Sequence, residues 1–549
     1  MQNWRFQAER HDSRSAACGL SRAAAMLAVL CAALIGCDPV GGVVATGLAG
    51  CVTPNERIDA DATIAALGAN AVFVTTVACA SGAGDGSAAA PMAGFSSTST
   101  VTAGKTIVLL AGEYNEALNV SGGVNVVAAQ PSKTRLRAAV TVVGAGASTL
   151  TGLVIEGSAG HGVRIEGADV TLGASIITAT VASAAGAGHG VVVVAGGSLV
   201  LSGTAIVGAA GVGLLAKGAG SISIVEPIFD VSPRGSGDEK IGIVEPIFQP
   251  AALIADNKGG GIAIVEPIFA PKGDATDGGL SMRGVLVRDN VGFGIALYGA
   301  DAEIKRSAIA GTLVGASGPW ADGILVAAGK VARVGRIVVD KDSVVVGNAR
   351  GGVIATASAE LVLSADISAN GYTGVWATGD EGVVKLDAAA TMHRNHLCGV
   401  GVTGGADLQL TGSSVGQTAI FDVGATGADS GVGDGIGVFD GARATITNAK
   451  IANSARAAVM VHNAAKRPDG SPDVEIVGSS FIGGKYAVVI NGAPAPDFAA
   501  ANAYRDSDGK QGGSTGTAEG APSDVANADF PVSTAYCSDE KACVPNLDE

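Results

Sequence analysis

The sequence predicts an all-β fold, namely a right-handed parallel β-helix solenoid with an N-terminal cap and a polar C-terminal tail. Three observations predict this fold. Glycine accounts for 83 of the 549 residues, about twice its usual share, whereas aromatic residues make up 4%. A short motif of glycine followed by alternating apolar residues returns between about residues 160 and 490. An asparagine precedes several of these glycines by four residues, as expected of a turn that occurs once per coil.

The N-terminal segment, residues 1–36, is predicted to be a lipoprotein signal peptide. Four arginines precede an apolar run at residues 23–35, which is too short to span a bilayer. The run leads into Leu34 to Cys37, a segment that resembles the lipobox of bacterial lipoproteins. The resemblance implies that the Cys37 sulfur receives a lipid, which would hold the mature chain on a membrane. The alternative is an ordinary secretory signal that is cleaved elsewhere.

The charge of the chain limits its partners. Residues 1–36 carry four arginines and two acids, so their removal changes the formal net charge from −15 to −17. This acidity argues against nucleic acid and against anionic membrane surfaces as partners. We expect a bacterial cell-envelope protein that is lipid-anchored at the periplasmic face or at the outer-membrane surface. No cofactor is predicted.

Four cysteines are candidates for disulfide bonds, which are common in exported proteins. Cys51 and Cys79 flank the predicted cap region, and Cys537 and Cys543 lie near the C-terminus. Cys398 is left without an obvious partner.

The repeat in the middle of the chain has two strand-like parts. Alternation of apolar residues indicates a β-strand. The first part begins at Gly162, Gly190, Gly213, Gly261, Gly294, Gly323, Gly374 and Gly435. The second part is a turn and another short strand, at residues 167–172, 299–304, 359–363, 406–410 and 441–446.

The third part of the repeat is the turn asparagine. It occurs at Asn257, Asn290, Asn348, Asn370 and Asn395, whereas Asn453 departs from the pattern because Ala457 replaces the glycine. Asparagine tolerates the left-handed backbone conformation, and stacked asparagines can hydrogen-bond to each other. The three parts together predict coils of two or three short strands that stack about 4.8 Å apart.

This repeat resembles the pectin-lyase-like superfamily of right-handed β-helices, in its carbohydrate-binding and sugar-hydrolase repeat branch. Residues 84–92 followed by residues 106–114 resemble the start of such domains in many lipoproteins. The resemblance covers roughly residues 70 to 495. It is specific for the fold but not for function, because the superfamily includes lyases, hydrolases, adhesins and proteins without an assigned activity.

The expected domain limits follow from this pattern and from composition. After about residue 496 the chain is rich in small and polar residues, which indicates a low-complexity tail with a disulfide-closed end. The predicted divisions are a signal peptide at 1–36, a linker and cap at 37–100, the β-helix at 101–495 and the tail at 496–549.

No catalytic residue is assigned. The histidine in Gly160-His161-Gly162 resembles that of polygalacturonases, whose catalytic aspartates lie upstream on neighbouring coils. This chain has no aspartate between Asp85 and Asp169, and His189 occupies the same repeat position as His161. We therefore interpret both histidines as turn residues.

A pectate-lyase-type reaction would need an acidic cluster that binds Ca²⁺ beside a basic residue. The sequence offers basic and acidic residues close together, but such a mixture is equally typical of a solvated rim. These residues are Arg283, Arg288, Asp289, Asp301, Glu303, Lys305 and Arg306.

Two further patterns are candidate metal sites. The segment Val-Glu-Pro-Ile-Phe occurs three times, with its glutamate at Glu226, Glu245 and Glu266. If the copies stack, the glutamates would lie about 4.8 Å apart and repel by roughly 1–3 kcal/mol per pair, which a bound cation would relieve. The favoured interpretation is a duplicated structural strand, in which the proline places each glutamate at a strand end.

The second pattern is His393, His396 and Cys398, which offers nitrogen and sulfur ligands for copper or zinc. A clear fourth ligand is missing. The favoured interpretation is a turn with two exposed histidines and a buried thiol.

These observations favour a non-enzymatic, membrane-anchored lipoprotein whose β-helix is a binding or structural surface. The candidate partners are a polysaccharide or a cell-envelope protein. The alternative is a polysaccharide lyase or glycoside hydrolase acting in a lateral groove of the β-helix. Two carboxylates that converge in one groove would favour the enzyme, and scattered carboxylates would favour the scaffold.

Overall fold

Three parallel sheets, named here A, B and C, contain all the strands of the described chain. The computed structural model describes residues 67–519 except 80–83, 97, 185–186, 226–251, 267–278, 316–319, 329–334, 357–358, 420–432, 469, 485, 492–501 and 506–516. Within this part, the sheets have 16, 15 and 15 strands. The other regular elements are the 3-10 helices Gly68–Asn70, Val77–Cys79, Thr98–Thr100 and Pro131–Lys133. None of the helices in the described ranges is long and apolar enough to cross a membrane.

The strands are numbered in chain order. Sheet A contains β1 (Ala71–Thr75), β2 (Met92–Ala93), β3 (Thr106–Leu109), β6 (Asn125–Ala128), β9 (Ala147–Thr151), β12 (Asp169–Gly173), β15 (Ser198–Ser202), β18 (Ile222–Val225), β21 (Leu280–Arg283), β24 (Ala302–Lys305), β27 (Arg336–Val339), β30 (Glu360–Leu363), β33 (Val383–Leu386), β36 (Asp407–Thr411), β39 (Arg443–Thr447) and β42 (Val474–Val477). Sheet B contains β4 (Gly112–Tyr114), β7 (Thr134–Leu136), β10 (Val154–Glu156), β13 (Ile176–Thr178), β16 (Thr204–Val207), β19 (Ala252–Ala255), β22 (Val285–Arg288), β25 (Ala308–Ala310), β28 (Val344–Val346), β31 (Asp366–Ser368), β34 (Thr391–His393), β37 (Ser414–Gly416), β40 (Lys450–Ala452), β43 (Ser480–Ile482) and β45 (Ala503–Arg505). Sheet C contains β5 (Leu118–Ser121), β8 (Val140–Val143), β11 (His161–Glu166), β14 (His189–Val194), β17 (Val212–Lys217), β20 (Gly260–Val265), β23 (Gly292–Tyr298), β26 (Ala321–Ala327), β29 (Gly351–Ala355), β32 (Thr373–Thr378), β35 (Cys398–Thr403), β38 (Asp434–Phe439), β41 (Ala457–His462), β44 (Tyr486–Asn491) and β46 (Thr517–Glu519).

From β3 to β44, each coil passes through the sheets in the order A, B, C. Strand β12 of sheet A is followed by β13 of sheet B and β14 of sheet C, and then β15 pairs in parallel with β12. The chain therefore advances by one coil with every three strands. The fold is the right-handed parallel β-helix that the sequence predicts.

The core consists of aliphatic side chains stacked in register from coil to coil. On the inner face of sheet C, for example, Val163, Val191, Leu214, Ile262 and Ile295 occupy successive partner positions and are fully buried. Burial of a side chain of this size contributes about 1.5–3 kcal/mol. The glycine-initiated alternation in the sequence therefore marks the strands that line this core.

The predicted asparagine turn forms a buried ladder between sheets B and C. The side-chain amide of Asn257 donates to Asn290 Oδ1 at 2.8 Å, and that of Asn348 donates to Asn370 Oδ1 at 2.9 Å. Asn370 in turn donates to Asn395 Oδ1 at 3.0 Å. All five side chains are buried, which confirms the interpretation of these residues as a stacked turn.

Asn453 departs from this ladder by one position. Its φ of 56° places it at the left-handed residue of the turn, and the buried residue at the ladder position is Ser454. The same shift occurs one coil earlier, where Gln417 has a φ of 53° and Thr418 is buried. Small hydroxyl residues thus replace asparagine in these coils.

A second ladder, which sequence analysis did not identify, connects the turns between sheets A and B. The backbone N–H of Val285 donates to Ser307 Oγ at 3.1 Å, and the N–H of Ser307 donates to Ser343 Oγ at 3.2 Å. The backbone N–H of Ala449 likewise donates to Ser479 Oγ at 3.2 Å. These serines bond turn N–H groups that the sheet ladders leave unpaired.

The outward-pointing side chains of sheet C form an apolar surface, called here the outer C face, that is also buried. Trp376 stacks on Phe439 with their ring centroids 5.8 Å apart. A Cβ at Gly401 would lie 2.3 Å from the Trp376 ring, and one at Gly437 would lie 2.2 Å from the Phe439 ring. The two glycines therefore leave the space that the rings occupy. The face consists of Val212, Leu215, Ala263, Phe293, Ala296, Tyr298, Leu325, Ile354, Trp376, Cys398, Phe439, Ala457, Met460 and Val489.

Two buried ion pairs of the same design lie at the start of strands in sheet C. Arg350 donates through Nε to Asp322 Oδ1 at 2.7 Å, and Arg456 donates through Nε to Asp434 Oδ1 at 2.9 Å. In each pair the arginine directly precedes the next strand of the sheet, whose first N–H also bonds the aspartate. Burial raises the pKa of Asp434, and Arg456 opposes this shift.

Candidate functional site

Two grooves lie on the outer face of sheet A. In seven adjoining strands, from β18 to β36, one outward side chain per strand lies in register with its neighbours, because every second residue of a strand points outward. This set, called here the central row, consists of Ser223, Ser281, Glu303, Val338, Val362, Lys385 and Gln409.

Groove 1 lies over strands β18 to β27 and has a volume of about 300 Å³. Its polar lining consists of three hydroxyls, two carboxylates and one guanidinium group, and its apolar lining comes from the strands beneath. The lining residues are Ser221, Ile222, Ser223, Gly279, Leu280, Ser281, Asp301, Ala302, Glu303, Arg336 and Val338.

Both carboxylates of groove 1 interact with donors of the same chain. Glu303 lies 2.6 Å from Lys305 Nζ. Asp301 accepts the backbone N–H of Arg336 at 2.8 Å, and the Arg336 side chain bonds Glu360 at 3.2 Å. The charged side chains of the groove are thus held by neighbours on the same sheet.

Groove 2 lies over strands β30 to β36 and has a volume of about 230 Å³. Lys385, one of its lining residues, donates to Glu360 at 2.6 Å, and this hydrogen bond, together with the charges of Lys385 and Arg336, lowers the pKa of Glu360. The lining residues are Val362, Leu363, Lys385, Leu386, Asp387, Gln409 and Thr411. Asp387 accepts the Ser364 hydroxyl at 2.6 Å.

Groove 1 brings two carboxylates together, as an enzyme would require, but their surroundings suit hydrogen bonding better than proton transfer. Asp301 immediately precedes β24 and Glu303 lies two residues later, so both point outward from the same strand. Neither is buried, and Lys305 offsets the charge of Glu303. Glycoside hydrolysis uses a desolvated carboxylic acid as its proton donor, and neither side chain is buried.

The interpretation of His161 and His189 as turn residues is wrong. They are the first residues of β11 and β14, and both are buried, with their rings stacked 5.8 Å apart. The turn is made instead by Gly160 and Gly188, which have positive φ. The backbone N–H of Val212 donates to His189 Nδ1 at 2.9 Å, so this nitrogen carries no proton.

The candidate ligands His393, His396 and Cys398 are not brought together. His393 ends β34 of sheet B, Cys398 begins β35 of sheet C, and His396 is exposed in the turn between them. Cys398 is a buried free thiol, as predicted, and burial raises its pKa well above the usual range. Within the ranges that the structure describes, no three potential ligands lie close enough to hold a metal ion.

The first and third Val-Glu-Pro-Ile-Phe copies begin on different sheets. Val225 of the first copy ends β18 of sheet A, whereas Val265 of the third copy ends β20 of sheet C. The two valines therefore lie on different sides of the coil, and these two copies do not begin in one column. Glu266 directly follows β20 with a φ of 45°, and Glu226 and Glu245 lie outside the described residues.

The remaining predicted sites fall largely outside the described residues. This applies to Cys37, Cys51, Cys537 and Cys543, and Cys79 ends the 3-10 helix Val77–Cys79. Lipidation, the two disulfides and the domain limits therefore stay predictions.

No protein-family model and no curated protein matches this chain. Solved structures do match. The A-module of the Azotobacter vinelandii mannuronan C-5 epimerase AlgE4 is 14% identical, with 73% of this chain and 91% of that chain covered and a TM-score of 0.30. Pectate lyase Pel9A is 12% identical, with 69% and 78% covered and a TM-score of 0.27.

A third match is the periplasmic alginate epimerase AlgG, which is 11% identical over 73% of this chain and 76% of that chain, with a TM-score of 0.24. At such low identity these likenesses concern the β-helix fold alone. The chemistry of the site is therefore argued from its own residues.

Proposed function

We propose that this chain is an exported, lipid-anchored protein of the bacterial envelope that binds polysaccharide without cleaving it. The observation that carries the proposal is groove 1, in which hydroxyl, carboxylate and guanidinium groups converge over four strands. Sugar hydroxyls both donate and accept hydrogen bonds, so a glycan site needs both kinds of partner. Carboxylates accept, guanidinium groups donate, and serine hydroxyls do both.

The position of the groove supports binding because a regular sheet holds its side chains in fixed places. Ser223, Ser281 and Glu303 are in-register neighbours, and their strands are locked by parallel ladders. A preformed site loses little conformational entropy when it binds a ligand. The ion pair between Glu303 and Lys305 further restricts the side chains.

A carbohydrate-active enzyme is the second candidate, and one observation favours it. Asp301 and Glu303 point into the same groove from one strand. The salt bridge of Glu303, the hydrogen bond to Asp301 and the partial exposure of both side chains argue against catalysis. A test of this proposal must therefore measure both binding and product release.

The experiment is affinity gel electrophoresis of the mature chain through gels that contain single polysaccharides. We expect at least one polysaccharide to retard the wild-type protein, and the Ser281→Ala and Asp301→Asn variants to be retarded less. Asn119→Ala is the control, because Asn119 is exposed on β5 of sheet C and therefore lies on another face of the coil.

Incubation with the retarding polysaccharide should release neither reducing ends nor unsaturated sugars. Release of either product that depends on Asp301 or Glu303 would establish the enzyme instead. Unchanged migration in every gel would refute the binding function.

A further inference from the structure

Resting on the proposed function, we infer that groove 1 and groove 2 form one continuous track for an uncharged polysaccharide that lies along the solenoid axis. The residues that line the two grooves are direct neighbours on sheet A. Val338 of groove 1 is the direct in-register partner of Val362 of groove 2. The central row thus continues through both grooves, and with coils about 4.8 Å apart its seven rungs span about 29 Å.

The direction of the ligand follows from the shape of the sheet. A polymer that runs along a strand meets only the four residues of β21 or β24, about 13 Å, before the chain turns away. A polymer that crosses the strands meets an equivalent side chain in every coil. Only the second orientation uses both grooves.

The charges of the track indicate an uncharged ligand. Lys305 is paired with Glu303, and both Arg336 and Lys385 are paired with Glu360. A polyanion would have to displace these carboxylates from the cations. The net charge of −17 expected for the mature chain would also repel it at long range.

The uncharged side chains of the track match the two surfaces of a sugar ring. Ser223, Ser281 and Gln409 offer hydrogen-bonding groups at the two ends of the central row. Val338 and Val362 form a half-buried apolar pair in the middle, against which the C–H groups of a sugar can pack. Hydrogen bonds and apolar contacts of this kind can bind a neutral sugar chain without an ion pair.

A polypeptide is a poorer match for this surface. Extended peptides are commonly bound at the edge of a sheet, where backbone N–H and C=O groups are unpaired. The strands of the track, by contrast, have a partner strand on both sides. Only side chains remain for recognition.

The experiment compares neutral with acidic polymers and groove 1 with groove 2. The probes are galactomannan, xyloglucan and glucomannan as neutral polymers, and polygalacturonate and alginate as acidic polymers. The proteins are the wild-type mature chain, Ser281→Ala in groove 1, Gln409→Ala in groove 2 and Asn119→Ala on sheet C as control. Dissociation constants are taken from retardation in affinity gels at low and high salt.

We expect a neutral polymer to bind, with a dissociation constant that changes less than twofold with salt because no ion pair forms. Both groove variants should weaken binding about three- to tenfold, and the control should not. Oligosaccharides from a digest of that polymer should bind more tightly with length until they span about 29 Å. Together these results would support the continuous track.

The possible failures are distinguishable. If a neutral polymer binds and only the groove 1 variant weakens it, the proposed function stands and the track is refuted. Binding of acidic polymers alone refutes the uncharged ligand but leaves polysaccharide binding intact. If neither class is retarded, both the inference and the proposed function fail.

Discussion

Asn370 and Asn395 lie in consecutive coils and are joined by a 3.0 Å hydrogen bond between their buried side-chain amides. Asn370 also accepts, through Oδ1, both the backbone N–H and the side-chain amide of Asn348. One side chain therefore satisfies polar groups of the coils on both sides. This makes it the residue of the ladder where a substitution should be most damaging.

Asn370→Ala is expected to destabilise the solenoid by several kcal/mol. The substitution leaves the buried backbone N–H and side-chain amide of Asn348 without their acceptor, and each unsatisfied group costs about 1–3 kcal/mol. Thermal unfolding followed by circular dichroism checks the prediction. Asn453→Gly is the control, because Asn453 is exposed and lies outside the ladder. Equal melting temperatures for the two variants would contradict a structural role of the ladder.

Gly401→Ala is expected to destabilise the protein by about 1–3 kcal/mol, because overpacking a closed interior costs this much. The new Cβ would lie 2.3 Å from Trp376, which must move from its stack on Phe439. Gly173→Ala is the control, since a Cβ there meets nothing closer than 3.9 Å. Trp376→Leu should lower the free energy of unfolding less in the Gly401→Ala variant than in the wild type. Urea unfolding measures both losses. Additive losses would show that the ring and the glycine do not interact.

Acid should remove the stabilisation that comes from Glu360. The hydrogen bond from Lys385, supported by Arg336, lowers its pKa below the usual 4.5. A lowered pKa in the folded chain means that ionised Glu360 stabilises the fold above pH 4.5 and that this contribution is lost as the pH falls through the folded pKa. Its size is about 0.2–1 kcal/mol, because the side chain is partly exposed.

The measurement is the melting temperature of wild type and Glu360→Gln at pH 7 and at pH 3. We expect the variant to melt lower at pH 7 and to match the wild type more closely at pH 3. A difference that is equal at both pH values would show that the charge of Glu360 contributes nothing.

Cys398 should be inert in the native protein. Its thiol is buried, and burial raises its pKa, so the reactive thiolate is scarce. We expect iodoacetamide to leave it unmodified until the protein is unfolded by guanidinium. If both predicted disulfides and the lipid on Cys37 form, a thiol assay of the unfolded mature chain should find one thiol. Rapid native labelling abolished by Cys398→Ala would show that the thiol is accessible.

Lipidation at Cys37 predicts where the protein fractionates. In a bacterial host, wild-type protein should sediment with membranes and take up labelled fatty acid. Cys37→Ala should do neither, because the acceptor sulfur is absent. Cys18→Ala is the control, since Cys18 lies upstream in the predicted signal peptide. Membrane association of the Cys37→Ala variant would refute the lipid anchor.

Most of the coil architecture could be predicted because its signals are local. A glycine, an asparagine and alternating apolar residues within a few positions of each other predict the asparagine ladder and the inner strands. His161 and His189 were misjudged because a Gly-His-Gly segment looks like a turn, whereas only its first glycine is one. The aromatic packing of the outer C face was missed because no short pattern indicates that Gly401 makes room for Trp376.

The sequence by itself determined the parallel β-helix and the buried asparagine ladder, since the signals for both are residues close together along the chain. Only the tertiary structure decided that the side chains of Ser223, Ser281 and Glu303 stand side by side and that Val338 meets Val362. The physical reason is that insertions change the number of residues in a coil but not the spacing between stacked strands. Positions that are far apart and unevenly spaced in sequence are therefore evenly spaced on the face of sheet A.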